Sequence, residues 1–160
     1  MRRKISNPFV RQSGYDCFCC SPQNPIGLKL EFWYDDEFDT VETEWNPGTH
    51  YQGYVDVLHG GIQSTIMDEV ASWSVYIFEE SSGVTGKMEI HYKKPVLISK
   101  GKIIVKSKVY KRARRIVTLS VELFDGSGVL CTKGLIDYFV FPKEKAEKDL
   151  GYPGIKAFLP

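Results

Sequence analysis

Between Ile62 and Glu79 the chain runs without Gly or Pro, long enough for about five turns of helix. Its apolar positions cover most of the circumference. Ile62, Ile66, Val70, Trp73 and Ile77 make one stripe, and Met67, Ala71, Val75 and Phe78 broaden it. A helix apolar on nearly all sides has to be enclosed, so the rest of the chain must wrap it. One narrow strip differs: Ser64, Thr65, Asp68, Ala71 and Ser72 recur at spacings of three and four. Small and polar residues there predict a face turned to a tightly packed partner or a ligand channel.

The flanking sequence supplies the wrapping. Leu28, Leu30 and Phe32 alternate with Lys29 and Glu31, and Val41, Thr43 and Trp45 with Glu42 and Glu44, across an acidic turn at Tyr34–Asp39. Period two on both sides of a turn predicts a hairpin. After the helix, Met88, Ile90 and Tyr92 form one alternating run, and Ile103, Val105 and Val109 another. A basic turn at Lys111–Arg114 leads to Val117, Leu119, Val121 and Leu123, and Asp125-Gly126-Ser127-Gly128 turns into a final strand ending near Val140. The pattern predicts an α+β domain, a long antiparallel sheet of five to six strands around one central helix. Residues 1–27 read as an N-terminal arm, 28–142 as the domain, and 143–160 as a C-terminal tail, with Lys143–Asp149 a solvated helical turn or tail at its start.

Composition limits the function classes. Lys and Arg number 21 against 20 Asp and Glu, so global charge favours neither nucleic acid nor a membrane surface. The apolar run at Leu135–Phe141 is broken by Asp137, too short to span a bilayer. The basic start Met1-Arg2-Arg3-Lys4 is followed by Ser6, Asn7 and Pro8 in place of an apolar segment, so a cytoplasmic location is expected. Cys17 and Cys20 have Cys-x-x-Cys spacing, but no second pair exists. Cys131, His50 or His59 could complete a metal site only through the fold, so no metal and no cofactor are expected, and the thiols read as reduced and partly buried.

The helix is preceded by His59-Gly60-Gly61, and Asp68 stands nine residues after the histidine. Paired glycines at a helix start leave outward N–H groups bare, able to hold a developing oxyanion. A carboxylate two turns inside an apolar helix needs a task or a partner. Donor and base together suggest acyl transfer. His59 reads either as a proton-transfer group or as a ring tying the loop down. Glu69, about 100° around the helix, reads as a solvated or interface charge.

These elements in this order, with His-Gly-Gly at the helix start, resemble the hotdog-fold acyl-CoA thioesterases of the phenylacetyl-CoA thioesterase (PaaI) type. Cys17-Phe18-Cys19-Cys20 with Asn24-Pro25-Ile26-Gly27-Leu28, Gln52-Gly53-Tyr54, and Val84-Thr85-Gly86 leading to Tyr92-Lys93-Lys94-Pro95 carry the same likeness. The resemblance implies that the Gly60 N–H polarises the thioester carbonyl, that Asp68 acts as general base or nucleophile, and that Thr85 orients the attacking water. Some members carry an Asn six residues before the histidine as a second carbonyl contact. Gly53 stands there, leaving Gln52, Gln63 or the Gly61 backbone to substitute.

Seven residues of helix separate Gly61 from Asp68, roughly 10 Å, too far for both to reach one carbonyl. Two such helices running antiparallel across a two-fold can do so, and Ser64, Ala71 and Ser72 would permit the approach. A homodimer, or a homotetramer built from it, is expected, as the resemblance also implies. Coenzyme A phosphates need cations at the channel mouth: Lys111, Arg112, Arg114 and Arg115 are the first candidates, then Lys93 and Lys94. No aromatic-basic RNA-binding motif accompanies them. The reading is acyl-CoA hydrolysis. The alternatives are a non-catalytic acyl-CoA-binding module and a hotdog dehydratase or hydratase, which would need a carboxylate where Ser64 and Thr65 stand.

Overall fold

A computed structural model describes residues 1–160. The Gly/Pro-free run forms helix α1, Gly60–Phe78. Around it lie β1 (Arg2–Ile5), β2 (Phe32–Asp35), β3 (Thr40–Trp45), β4 (Gly83–Tyr92), β5 (Ile103–Ala113), β6 (Ile116–Phe124) and β7 (Leu130–Val140), with a second helix, α2, at Lys143–Leu150. The strands form one antiparallel sheet of seven in the order β1-β2-β3-β5-β6-β7-β4. This is the hotdog architecture. The helix packs across β3 to β7, and Ile66, Met67, Val70 and Ala71 are fully enclosed. Ala71 therefore belongs to the core and not to the open strip.

The sheet exceeds the expected five to six strands because the arm contributes one. Arg2–Ile5 pairs with β2, and Phe9, Cys19 and Cys20 enter the core. Leu28, Leu30 and Phe32 are all buried, as their alternation predicts, yet only Phe32 lies in β2. Leu28 and Leu30 donate their N–H groups to Phe18 and Cys19 of the arm instead. Lys143–Leu150 forms the helix α2, exposed except at Ala146, as expected, but the residues after it return to the core. Tyr152 and Phe158 are buried against Phe9, Trp73 and Tyr76. Trp73 also stacks on Phe32, centroids 4.3 Å apart. Aromatic area on three separate segments thus seals one end of α1.

Opposite charges meet because β3 lies beside β5. Glu42 is buried, accepting from Lys106 at 2.8 Å and from the Thr40 hydroxyl at 2.9 Å, while Glu44 pairs with Arg2 and Lys102. The acids of β3 are thus answered by bases on β1 and on or just before β5. The basic turn sits later than its sequence suggests: Lys111 and Arg112 remain in β5, and the reversal falls at Arg114-Arg115, with Arg114 at φ +56°. At Asp125-Gly126 the turn is tight, since a Cβ on Gly126 would lie 1.8 Å from the Lys100 carbonyl oxygen.

Two features position the site. β4 pairs only with β7, leaving its other edge free over ten residues. The register sets Thr85 opposite Tyr138, one strand away from the open strip of α1.

Candidate functional site

The start of α1 is built around His59. Its extended backbone (ψ 131°) makes it the N-cap, and its Nδ1 accepts from the Gly61 N–H at 2.9 Å. A side chain at Gly61 would stand 3.0 Å from that nitrogen, so the glycine is what lets the ring fold back. The cap consumes the Gly61 N–H, removing it as a substitute carbonyl donor. It also makes Nδ1 an acceptor, so the ring proton of the neutral imidazole sits on Nε2. The Gly60 N–H has no acceptor. Beside it, the Tyr92 hydroxyl donates to the Gly60 carbonyl at 3.0 Å and contacts the Ser64 hydroxyl. Gly60 lies under the Tyr92 ring, where a Cβ would come within 3.4 Å. The Thr65 hydroxyl donates back to the Gly61 carbonyl of its own helix at 2.8 Å.

Two turns on, Asp68 is half-buried and asymmetrically held. Its Oδ1 accepts from the Thr85 hydroxyl at 2.9 Å and from the Tyr138 hydroxyl at 2.6 Å, while Oδ2 accepts from no protein group. Tyr138 also reaches the Asp68 backbone carbonyl, at 2.9 Å. Burial, then the Asp68 charge, pushes the Tyr138 phenol well above its usual range, so it stays protonated and donates. Two hydroxyls thus fix one carboxylate oxygen and leave the other without a protein partner. Thr85 acts directly on Asp68. Tyr138 and Tyr92 are the residues that sequence reasoning gave no role. The alternation of β7 marks position 138 as inward-facing, and a phenol there requires a polar partner, which is the signal that was available.

The other candidates are scattered. Gln63 is buried, donating to the Leu58 carbonyl at 3.1 Å and accepting from Thr132 at 2.6 Å, so its amide is not available to a ligand. Gln52 accepts from the Asp56 N–H at 3.2 Å. With His50, Tyr51, His59, Gly61, Ile62 and Thr65 it lines a cavity of about 430 Å³ beside the helix start. Gly53 faces His59 with ordinary van der Waals room, 3.6 Å from where its Cβ would be. Ser72 turns to the opposite side, towards the arm. Arg112, Arg114 and Arg115 border a cavity of about 330 Å³ with Glu79 and Val140, and Arg112 is tied to Glu79 at 2.8 Å. That group flanks the Gly83 end of β4, because Val140 pairs with Gly83 and bonds the Arg115 carbonyl. Lys93 follows the Tyr92 end, and Lys111 is exposed on β5.

Residues 56–132, just under half of the chain, match the family model of the thioesterase superfamily. No curated protein matches. A thioesterase superfamily protein of known structure superposes with a TM-score of 0.67 at 17% identity, over 78% of this chain and 60% of that one. The chain therefore spans less than two thirds of that relative. A hypothetical thioesterase of Streptococcus pneumoniae with coenzyme A gives 0.60 at 20% identity, over 65% and 82%. A Bacillus halodurans protein with coenzyme A gives 0.63 at 19% identity, over 72% and 76%. Such likenesses show the fold.

Proposed function

From a hotdog fold and a thioesterase-superfamily match over residues 56–132, we propose that this protein is a thioester hydrolase acting on acyl-CoA. The observation that carries the reading is Asp68, with Oδ1 held by two hydroxyls and Oδ2 free, on the helix whose first N–H is open. The thioester oxygen accepts from the Gly60 N–H, which strengthens as negative charge develops on it. Oδ2 takes a proton from water, and the oxygen of that water adds to the carbonyl carbon. The tetrahedral intermediate collapses, the carbon–sulfur bond breaks, and the proton passes to the departing thiolate. The solved structures with coenzyme A support this substrate class.

One chain does not bring both groups to one carbonyl, because α1 is continuous between Gly60 and Asp68, a rise of about 12 Å. The reading therefore includes a two-fold dimer. A free edge as long as that of β4 invites pairing, and a second copy running antiparallel along it supplies what is missing. Each Gly60 then serves Asp68 of the partner subunit. Pairing on Met88 sets Lys87 opposite Glu89 of the partner subunit, a favourable cross-strand pair. The same pairing gathers Lys93 and the Arg112–Arg115 group of opposite subunits around one mouth, where the coenzyme A phosphates enter.

The test is thiol release across short, medium, long and aromatic acyl-CoAs. Asp68→Asn is expected to lower kcat by about 10² to 10⁴ with an unchanged unfolding midpoint. Turnover retained by that variant, or none by the wild type on any acyl-CoA, overturns the reading.

A further inference from the structure

On the other side of α1, the residue after Asp68 meets the arm. Glu69 Oε1 lies 3.6 Å from Cys17 Sγ, and Cys17 Sγ lies 2.9 Å from Cys20 Sγ. One donor atom from each of the three residues falls within 4.8 Å of the other two. Tyr15 and Ser72 join them around a cavity of about 290 Å³ walled by Phe9, Trp73 and Tyr76, and no Lys, Arg or His lines it. Glu69 forms no ion pair. Its one other partner is the Trp73 indole N–H at 3.0 Å. A half-buried carboxylate among aromatic rings with no counter-ion is a costly arrangement. The two thiols beside it are soft ligands whose deprotonation would deepen that negative charge.

We propose that Cys17, Cys20 and Glu69 form a binding site for a thiophilic divalent cation of the zinc class. Two sulfurs and one carboxylate oxygen supply three positions of a tetrahedron, and water from the cavity supplies the fourth. Sulfurs bound to one tetrahedral ion stand roughly 3.7 Å apart, which a small opening of the Cys17–Cys20 pair reaches. The two thiol protons leave as the ion binds. The sequence offers no second Cys-x-x-Cys because the third ligand comes from the central helix. The site is independent of the thioesterase reading. Its consequence is mechanical: a bound ion pins the Cys17–Cys20 turn to α1 at the position next to Asp68.

The experiment uses the full chain, reduced and stripped with a chelator, then titrated with Co²⁺. One Co²⁺ per chain is expected, with a thiolate-to-cobalt charge-transfer band and tetrahedral ligand-field bands, both abolished by added Zn²⁺. Zn²⁺ should also protect two of the four cysteines from a thiol reagent. Cys17→Ser and Cys20→Ser should remove the band. Glu69→Gln should weaken binding by at least about tenfold, and Cys131→Ser should leave it unchanged. Reduced wild type that shows no thiolate band overturns the proposal. So does protein that forms a Cys17–Cys20 disulfide on oxidation yet takes up no cobalt when reduced, which would identify a redox pair instead.

Discussion

If each active site draws Gly60 from one subunit and Asp68 from the other, two inactive variants should repair each other. Gly60→Pro is the cleanest way to delete the donor. Gly60 is the first helical residue after the His59 cap, where proline is tolerated by the helix, its ring replaces the N–H, and its Cβ meets the Tyr92 ring at a van der Waals 3.4 Å. The His59 backbone, at ψ 131°, already has the extended form a following proline demands. Removing one oxyanion donor should lower kcat by about 10² to 10³, and Asp68→Asn lowers it independently. In a hybrid dimer, one site combines Gly60 from the Asp68→Asn chain with Asp68 from the Gly60→Pro chain, so it is intact. The other site carries both lesions. Co-expression with two different tags and tandem purification isolates the hybrid, which should recover about half the wild-type kcat per dimer. Thiol release is the assay, with light scattering to confirm the dimer. A pure hybrid as inactive as its parents would mean that each site lies within one chain, and the shared-site argument fails.

Tyr138→Phe keeps the buried ring and deletes a hydroxyl bonded to a carboxylate, costing about 1.5–3 kcal/mol; kcat should fall by about tenfold or more at unchanged KM, and wild-type kcat in a destabilised variant would reduce Tyr138 to packing. His59→Ala removes the acceptor of the Gly61 N–H, so the cap should be lost at a cost of about 1 kcal/mol, read as a lower urea midpoint; an unchanged midpoint refutes the cap. Lys100 holds the Asp125 carboxyl down to about 2. A depressed pKa stabilises the fold above the unfolded value and loses that contribution as pH falls through the folded one, so wild type should exceed Asp125→Asn in stability above about pH 4. The gap should close near pH 2 in urea titrations; a gap that persists there is inconsistent with the ion pair. Single turnover in ¹⁸O water should label only the acid product if Asp68 is a general base, whereas label in Asp68 would make it the nucleophile.

The parts of this fold legible in the sequence are those governed by period and by backbone chemistry. The α1 run, the turn at Asp125-Gly126 and the hairpins are local, so a window of residues carries the whole signal. The core contacts of the arm and of the residues after α2 were not legible because their burial is decided elsewhere. Phe9, Tyr152 and Phe158 look like isolated apolar residues until Trp73 and Tyr76 present them with one common surface. The site divides in the same way. Gly60 and Asp68 stand out because a bare helix start and a carboxylate in an apolar helix are anomalies within a short span. Gln63 and Gly61 were expected near the carbonyl because sequence spacing cannot tell which groups the fold consumes internally. Tyr138 was overlooked because its partner is 70 residues away.

Asp68 and Glu69 bring these two kinds of information together. Neighbouring positions on a helix point about 100° apart, so one apolar helix carries two carboxylates to two different surfaces. On one side, hydroxyls from β4 and β7 clamp an oxygen of Asp68. On the other, the arm brings thiols to Glu69, which also accepts from the Trp73 indole one turn further along α1. A rigid helix does not let adjacent residues move independently, so whatever fixes Glu69 also limits rotation of α1 about its axis. It thereby limits where Asp68 Oδ2 can stand relative to a Gly60 N–H on the opposite subunit. Loss of the arm contact should therefore loosen catalytic geometry without touching a catalytic group. On this argument Glu69→Gln lowers kcat more than it raises KM, and an equal change in both would show that the two faces of α1 are uncoupled.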